Sequence, residues 1–296
     1  MTQQQRNTVA QILRNSPVDL GGEVAEQRER FRDLVAANPV PGDVTTEPIS
    51  LGGVPALVIA SPEGTANGTV LYFHGGCFVV GSARASAGLA ANLARKAGVR
   101  VISVDYRLAP EHPFPAALDD ALGAYRALTE SEQDGRRIAV AGESAGANLA
   151  VALLLAARDA PHLPHPACAV LFSPWADLTV PDHPGDAGLD PVITPAALRT
   201  RARDYVGGAD PRDGLLSPVH ADLSGLPPLL IQAGSHEYLL DDALRLAARA
   251  AADHVPVTLD VTPEVLHVFQ AFAAILDEGD AALTRAAAFV GTHTSR

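Results

Sequence analysis

The stretch RRIAVAGESAGANLAVALLLAARDA, residues 136–160, decides the fold. It begins with a short apolar run of strand length and ends in an alanine- and leucine-rich segment long enough for a buried helix. Between them stands Gly142-Glu143-Ser144-Ala145-Gly146, a G-x-S-x-G in the strand-to-helix setting that gives the motif its meaning. Glycines on both flanks let the backbone turn sharply, so the Ser144 hydroxyl is held out at the top of a sheet. The helix that follows aims its N-terminus at the same spot, where free N–H groups and the helix dipole favour negative charge. An ordinary N-capping serine would explain Ser144, but it would not need glycines two positions away on each side.

Working outward, strand-like runs alternate with helical stretches. Upstream lie GTVLYFH, ASAGLAANLARKAG, VRVISVDY and PAALDDALGAYRALTE; downstream lies ACAVLFSP. The strand runs are apolar throughout, which fits strands covered by helices on both faces and a mostly parallel sheet of βαβ units. The rhythm fails between Trp175 and about Pro227, where Pro, Gly and Asp surround short helical pieces such as TPAALRTRARDYVG. A compact insertion over residues 176–226 is expected there. The pattern resumes with PPLLIQAG, LDDALRLAARAAAD, VPVTLDVTP and AFAAILDEGDAALTRAAAFV. Ahead of the alternating region, residues 1–45 carry two amphipathic helical patterns, and TTEPISL and VPALVIASP then meet at Gly52-Gly53 as a hairpin would. The core is therefore expected over 46–175 and 227–296.

The chain has 296 residues, 47% apolar and 19% charged, and this composition folds into one large α/β domain or two small ones. Its net charge of -12 argues against nucleic acid or an anionic membrane surface as partner, because both reward Lys and Arg. The N-terminus lacks the apolar core of a signal peptide, and the longest apolar run, Leu149 to Ala157, is too short to span a membrane. Two cysteines, Cys77 and Cys168, lie in apolar surroundings and read as buried thiols in a reducing, cytoplasmic setting.

A serine hydroxyl needs a base to take its proton and a third group to orient that base. In a fold of this kind the chain order is nucleophile, acid, base. His267 lies between the final strand-like run and the final helix, whereas His254 precedes that strand and His293 lies in the tail. The acid belongs to LLIQAGSHEYLLDDAL, residues 229–244, where Glu237, Asp241 and Asp242 compete. Glu237 is nearest the strand end and is favoured, with Asp241 second; both aspartates also suit the first turn of a helix. Asp105 precedes the serine, so chain order excludes it. The pair of histidines in HLPH, residues 162–165, is broken by proline and has no nearby carboxylates, so no metal site is expected.

Acyl transfer passes through an oxyanion, and preorganised N–H donors aimed at it give the largest gain. The run VLYFHGGC, residues 70–77, ends in Gly75-Gly76-Cys77, a loop whose glycines let backbone N–H groups approach a substrate. The N–H of Ala145, after the nucleophile, is the expected partner donor. Phe78 and Val79, just beyond, are expected in the pocket wall.

Together with SVDYRLAPEHPFPAALDDALGAY, residues 103–125, these motifs closely resemble the bacterial hormone-sensitive lipase family of α/β-hydrolases, the family IV esterases. The resemblance runs from about residue 45 to near the end. It implies an α/β-hydrolase fold with an eight-stranded, mostly parallel sheet and a helical cap made from the N-terminal segment and the insertion. It further implies Ser144 as nucleophile, Glu237 as acid, His267 as base, the N–H groups of Gly76, Cys77 and Ala145 as oxyanion hole, and His74 as a scaffold for that loop. Two positions depart from the family pattern: Cys77 stands where a third glycine is usual, and Glu237 where Asp is usual.

The expected function is a cofactor-free serine carboxylesterase acting on small to medium apolar esters. A lactone- or amide-directed hydrolase would use the same residues, and a biosynthetic acyltransferase would need water excluded. A ligand receptor on this fold would lack the base, and His267 is present. By the same resemblance a homodimer would form through the edge strand VTLDVT.

Overall fold

The computed structural model describes residues 2–36, 38–61, 68–132, 137–182 and 190–294. Two helices, α1 (Thr2–Arg14) and α2 (Val24–Ala36), precede a hairpin of β1 (Thr45–Leu51) and β2 (Val54–Ala60). The hairpin turns on Gly52 and Gly53 at φ 62° and 87°, the left-handed pair that a two-residue turn between antiparallel strands requires. Strands and helices then alternate: β3 (Thr69–Phe73), α3 (Ala87–Ala97), β4 (Arg100–Val104), α4 (Ala116–Glu132), β5 (Ile138–Glu143) and α5 (Ala145–Arg158). After β6 (Ala169–Phe172) comes α6 (Pro195–Val206), on the stretch TPAALRTRARDYVG; residues 183–189 of the expected insertion lie outside those described. The chain closes with β7 (Leu229–Gly234), α7 (Leu240–Ala252), β8 (Val257–Thr262) and α8 (Asp277–Thr294). This last helix starts later than the apolar pattern suggests, after a single tight turn at Phe269–Phe272, because Asp277, Glu278 and Asp280 supply the acidic first turn that a helix N-terminus favours.

The eight strands form one sheet in the order β1-β2-β4-β3-β5-β6-β7-β8. Only β1 with β2 and β2 with β4 pair antiparallel; every pairing from β4 across to β8 is parallel. Side chains alternate across the sheet, as the strand period demands. Leu71, Phe73, Ile138 and Val140 pack with α4 and α5 on one face, while Val70, Tyr72, Ala139 and Ala141 pack with α3 and α8 on the other. Both faces are covered, which is why these strands read as unbroken apolar runs.

The parallel centre brings the tips of β3 and β5 together. A Cβ on Gly146 would lie 2.0 Å from the Phe73 carbonyl oxygen and 2.5 Å from that of His74. No side chain fits there, so the first turn of α5 sits directly against the loop that leaves β3. Gly146→Ala is therefore expected to lower stability by about 3 kcal/mol, read as the shift in the urea unfolding midpoint. A wild-type midpoint would contradict that close approach.

The N-terminal helices are tied to this end of the sheet by two arginines. Arg6 on α1 donates to Glu278 at 2.9 Å and pairs with Glu264. Arg28 on α2 donates to the carbonyls of Val79 at 2.9 Å and Ala109 at 3.0 Å, and forks onto the Glu111 carboxylate at 2.8 and 2.6 Å. Both cysteines are free and buried. No helix among the described residues is long and apolar enough to cross a membrane.

Candidate active site

Ser144 stands between β5 and α5 at φ 54° and ψ -117°, a left-handed backbone that few non-glycine residues adopt. The surroundings impose it. The Ser144 N–H donates to the Phe172 carbonyl at 2.9 Å, and the Ser144 carbonyl accepts from the N–H groups of Ala147, Asn148 and Trp175. The hydroxyl caps nothing, which removes the N-cap explanation of this serine.

His267 and Glu237 come from the loops after β8 and β7. His267 Nδ1 lies 3.9 Å from Glu237 Oε2, an ion-pair distance longer than a hydrogen bond. Glu237 is 1% exposed, and its Oε2 accepts from the Ser173 hydroxyl at 2.7 Å and the Gly234 N–H at 3.0 Å. Burial would lower the His267 pKa, but the Glu237 carboxylate beside it, together with Asp190 and Glu143, outweighs burial and holds it above the ordinary imidazole value. The competing aspartates are engaged elsewhere. Arg245 binds Asp241 at 2.5 Å and Asp242 at 2.9 Å, and Asp242 also accepts from the N–H groups of Ala176 and Asp177. Burial pushes the Asp242 carboxyl up to about 7. Asp105 is likewise occupied, accepting from the Ala83 N–H at 2.6 Å.

The loop after β3 doubles back on itself. Gly76, Cys77 and Phe78 have φ values of 113°, 53° and 63°, and a Cβ on Gly76 would meet the Val80 carbonyl oxygen at 2.2 Å. Among the described residues, the N–H groups of Gly76 and Cys77 have no protein acceptor. Ala145 opens α5, so its N–H is one of those without an intrahelical partner. Gly75 corrects the expectation: its N–H donates to Glu143 Oε1 at 3.0 Å and is not available to an oxyanion. Glu143, which also accepts from the Tyr72 hydroxyl, is a buried carboxylate raised above its usual range chiefly by desolvation. His74 is buried, stacked on Tyr106 at 4.3 Å, and burial lowers its pKa, so it stands as a neutral support for the loop.

Ser144, His267, Gly75, Gly76 and Cys77 line a cavity of about 190 Å³. Its far wall is apolar and comes from α1, α2 and the turn between them, through Ile12, Leu13, Leu20, Phe31, Leu34 and Val35 among others. Val192 and Ile193, ahead of α6, join it. Phe78 and Val79 do not line it. The left-handed turn sends the Phe78 ring inward, where it stacks on Tyr205 at 3.7 Å, and Val79 is fully buried. Burial pushes the Cys77 thiol up to about 12, so it stays protonated and is no nucleophile. Cys77→Gly is expected to change KM and acyl-length preference while kcat on the best substrate stays within about threefold. A loss of kcat as deep as that of a nucleophile variant would contradict this.

A strained serine at a strand-to-helix turn, with a histidine and a buried carboxylate from later loops, defines a hydrolase site on a doubly covered parallel sheet. Residues 70–271 match the model of a family described as having the alpha/beta hydrolase fold. The chain is 44% identical over 256 residues to an acetyl-hydrolase of Streptomyces hygroscopicus, covering 86% of this chain and 84% of that one. It is 36% identical over 262 residues to an esterase of Acinetobacter venetianus, with 86% and 84% covered. Among solved structures, an esterase from the bacterial hormone-sensitive lipase family superposes with a TM-score of 0.95 at 38% identity, over 99% of each chain. The chain belongs to the bacterial hormone-sensitive lipase family of α/β-hydrolases and is a serine hydrolase of the carboxylic ester class.

Proposed function

We propose that the protein is a serine carboxylesterase for small to medium, fairly apolar esters, working through an acyl-enzyme on Ser144, His267 and Glu237. The observation that carries this reading is the apolar cavity that has Ser144 and His267 in its lining. Ser144 Oγ attacks the ester carbonyl carbon as His267 takes the hydroxyl proton. The oxyanion is received by the N–H groups of Gly76, Cys77 and Ala145. His267 then passes the proton to the departing alcohol oxygen, and the acyl group remains on Ser144. Water repeats the sequence, giving the free acid and restoring the serine. Glu237 orients the imidazole and stabilises its charged form.

In this reading residues 1–45 and 176–226 act as a cap, supported by the share of the cavity wall that α1, α2, Val192 and Ile193 supply. The similarity to an acetyl-hydrolase supports acetyl esters as the short end of the proposed substrate range. The exposed Leu259 and Val261 on the edge strand β8 support a homodimer through that edge. The test is an assay of p-nitrophenyl esters from acetate upward, joined to labelling with a serine-reactive phosphonate and mass mapping. Short and medium esters should be cleaved fastest, and the label should fall on the peptide bearing Ser144. Label elsewhere, or preference for long-chain esters, overturns the proposal.

A further inference from the structure

We propose that Ser173 is a positioning residue that holds the acid and the base in register through a single hydroxyl; the proposal rests on the triad reading above. Ser173 follows β6, is fully buried and belongs to no recognised motif. Its Oγ donates to Glu237 Oε2 at 2.7 Å and accepts from the Val268 N–H at 3.1 Å. A serine hydroxyl has one proton to give and lone pairs to receive, and both capacities are used here to join two loops. One loop carries the acid, and the other carries His267, the neighbour of Val268.

The backbone at both ends of this link is strained. Ser173 has φ 48° and Val268 has φ 51°, the latter a β-branched residue in the left-handed region. Strain at such a residue persists only where the surroundings over-determine the conformation. Ser173 is fixed from below by its N–H, which donates to the Gln232 carbonyl at 2.7 Å. Two strained residues, 95 positions apart, are thus bound to one another beside the acid–base pair.

The same hydroxyl tunes the pair. Glu237 Oε2 receives Ser173 Oγ and the Gly234 N–H, and the imidazole Nδ1 stands 3.9 Å from that oxygen. The charged groups acting on His267 are Glu237, Asp190 and Glu143. With the Ser173 donor removed, the Oε2 charge is less compensated and favours the protonated imidazole more strongly, while the His267 loop loses its anchor.

The experiment compares Ser173→Ala with Ser173→Gly, the glycine relieving the left-handed strain so that folding is protected. Both variants should lose kcat by roughly 10- to 100-fold, with KM within about twofold of wild type, as expected when a catalytic group is misplaced. The acid limb of kcat/KM should move to higher pH in both. Wild-type kcat and an unmoved limb in Ser173→Gly would overturn the proposal. So would a loss of kcat with the limb unmoved, because that marks a purely structural role. His267→Asn is measured alongside. If it remains active the triad reading itself falls; if it is inactive while Ser173→Gly matches wild type, only the Ser173 proposal falls.

Discussion

Ser144→Ala is expected to cut hydrolysis of a short p-nitrophenyl ester by roughly 10⁴-fold or more, the scale at which loss of a serine nucleophile is felt. Folding should survive the change. The left-handed φ of 54° is set by backbone hydrogen bonds to Phe172, Ala147, Asn148 and Trp175, none of which involves the hydroxyl. The hydroxyl caps no helix, and among the described residues it has no hydrogen-bond partner, so its removal strands no buried polar group. Alanine also suffers the left-handed backbone no worse than serine does. The unfolding free energy should therefore stay within about 0.5 kcal/mol of wild type. Turnover near the wild-type value in a folded Ser144→Ala protein would end the acyl-enzyme account.

His267→Asn is expected to cost roughly 10³-fold or more in kcat, since serine then has no base and the alkoxide leaving group no acid. The wild-type pH profile carries the same residue's signature. A base must be unprotonated to act, so kcat/KM falls as pH drops through the His267 pKa. Burial opposes the charged imidazole, but the Glu237 carboxylate with Asp190 and Glu143 more than compensates, so the limb lies above the position of an ordinary imidazole. Glu237→Gln removes the compensating charge and leaves burial, which moves the limb to lower pH. A profile whose limb does not respond to Glu237→Gln would detach that carboxylate from the base.

Much of this was legible in the residues themselves. Residues 136–160 announce a strand, a sharp turn and a helix because glycines flank a serine between two apolar segments of different length. The mostly parallel sheet follows from the same alternation, though its strand order does not, and the break after Trp175 shows in composition. What sequence could not supply was contact between distant segments. Gly75 sits among the expected donors, yet its N–H is intercepted by Glu143, 68 positions away. Phe78 follows the loop immediately, yet a left-handed turn sends its ring to Tyr205. Ser173 occupies a plain strand end, and the contacts of its hydroxyl with Glu237 and Val268 depend on where two later loops fall. A cap from the N-terminal segment was implied by the resemblance, but which of its residues line the cavity was not legible, because α1 and α2 reach it from the opposite end of the chain.

The two arginine tethers bear on how the cavity wall is held. Arg6 joins α1 to Glu264 in the loop before His267, and Arg28 joins α2 to the Val79 carbonyl beyond the oxyanion loop. The wall that α1 and α2 give the cavity is thus pinned at two points, one in the loop before His267 and one just past Cys77, so charge as well as packing holds it over Ser144.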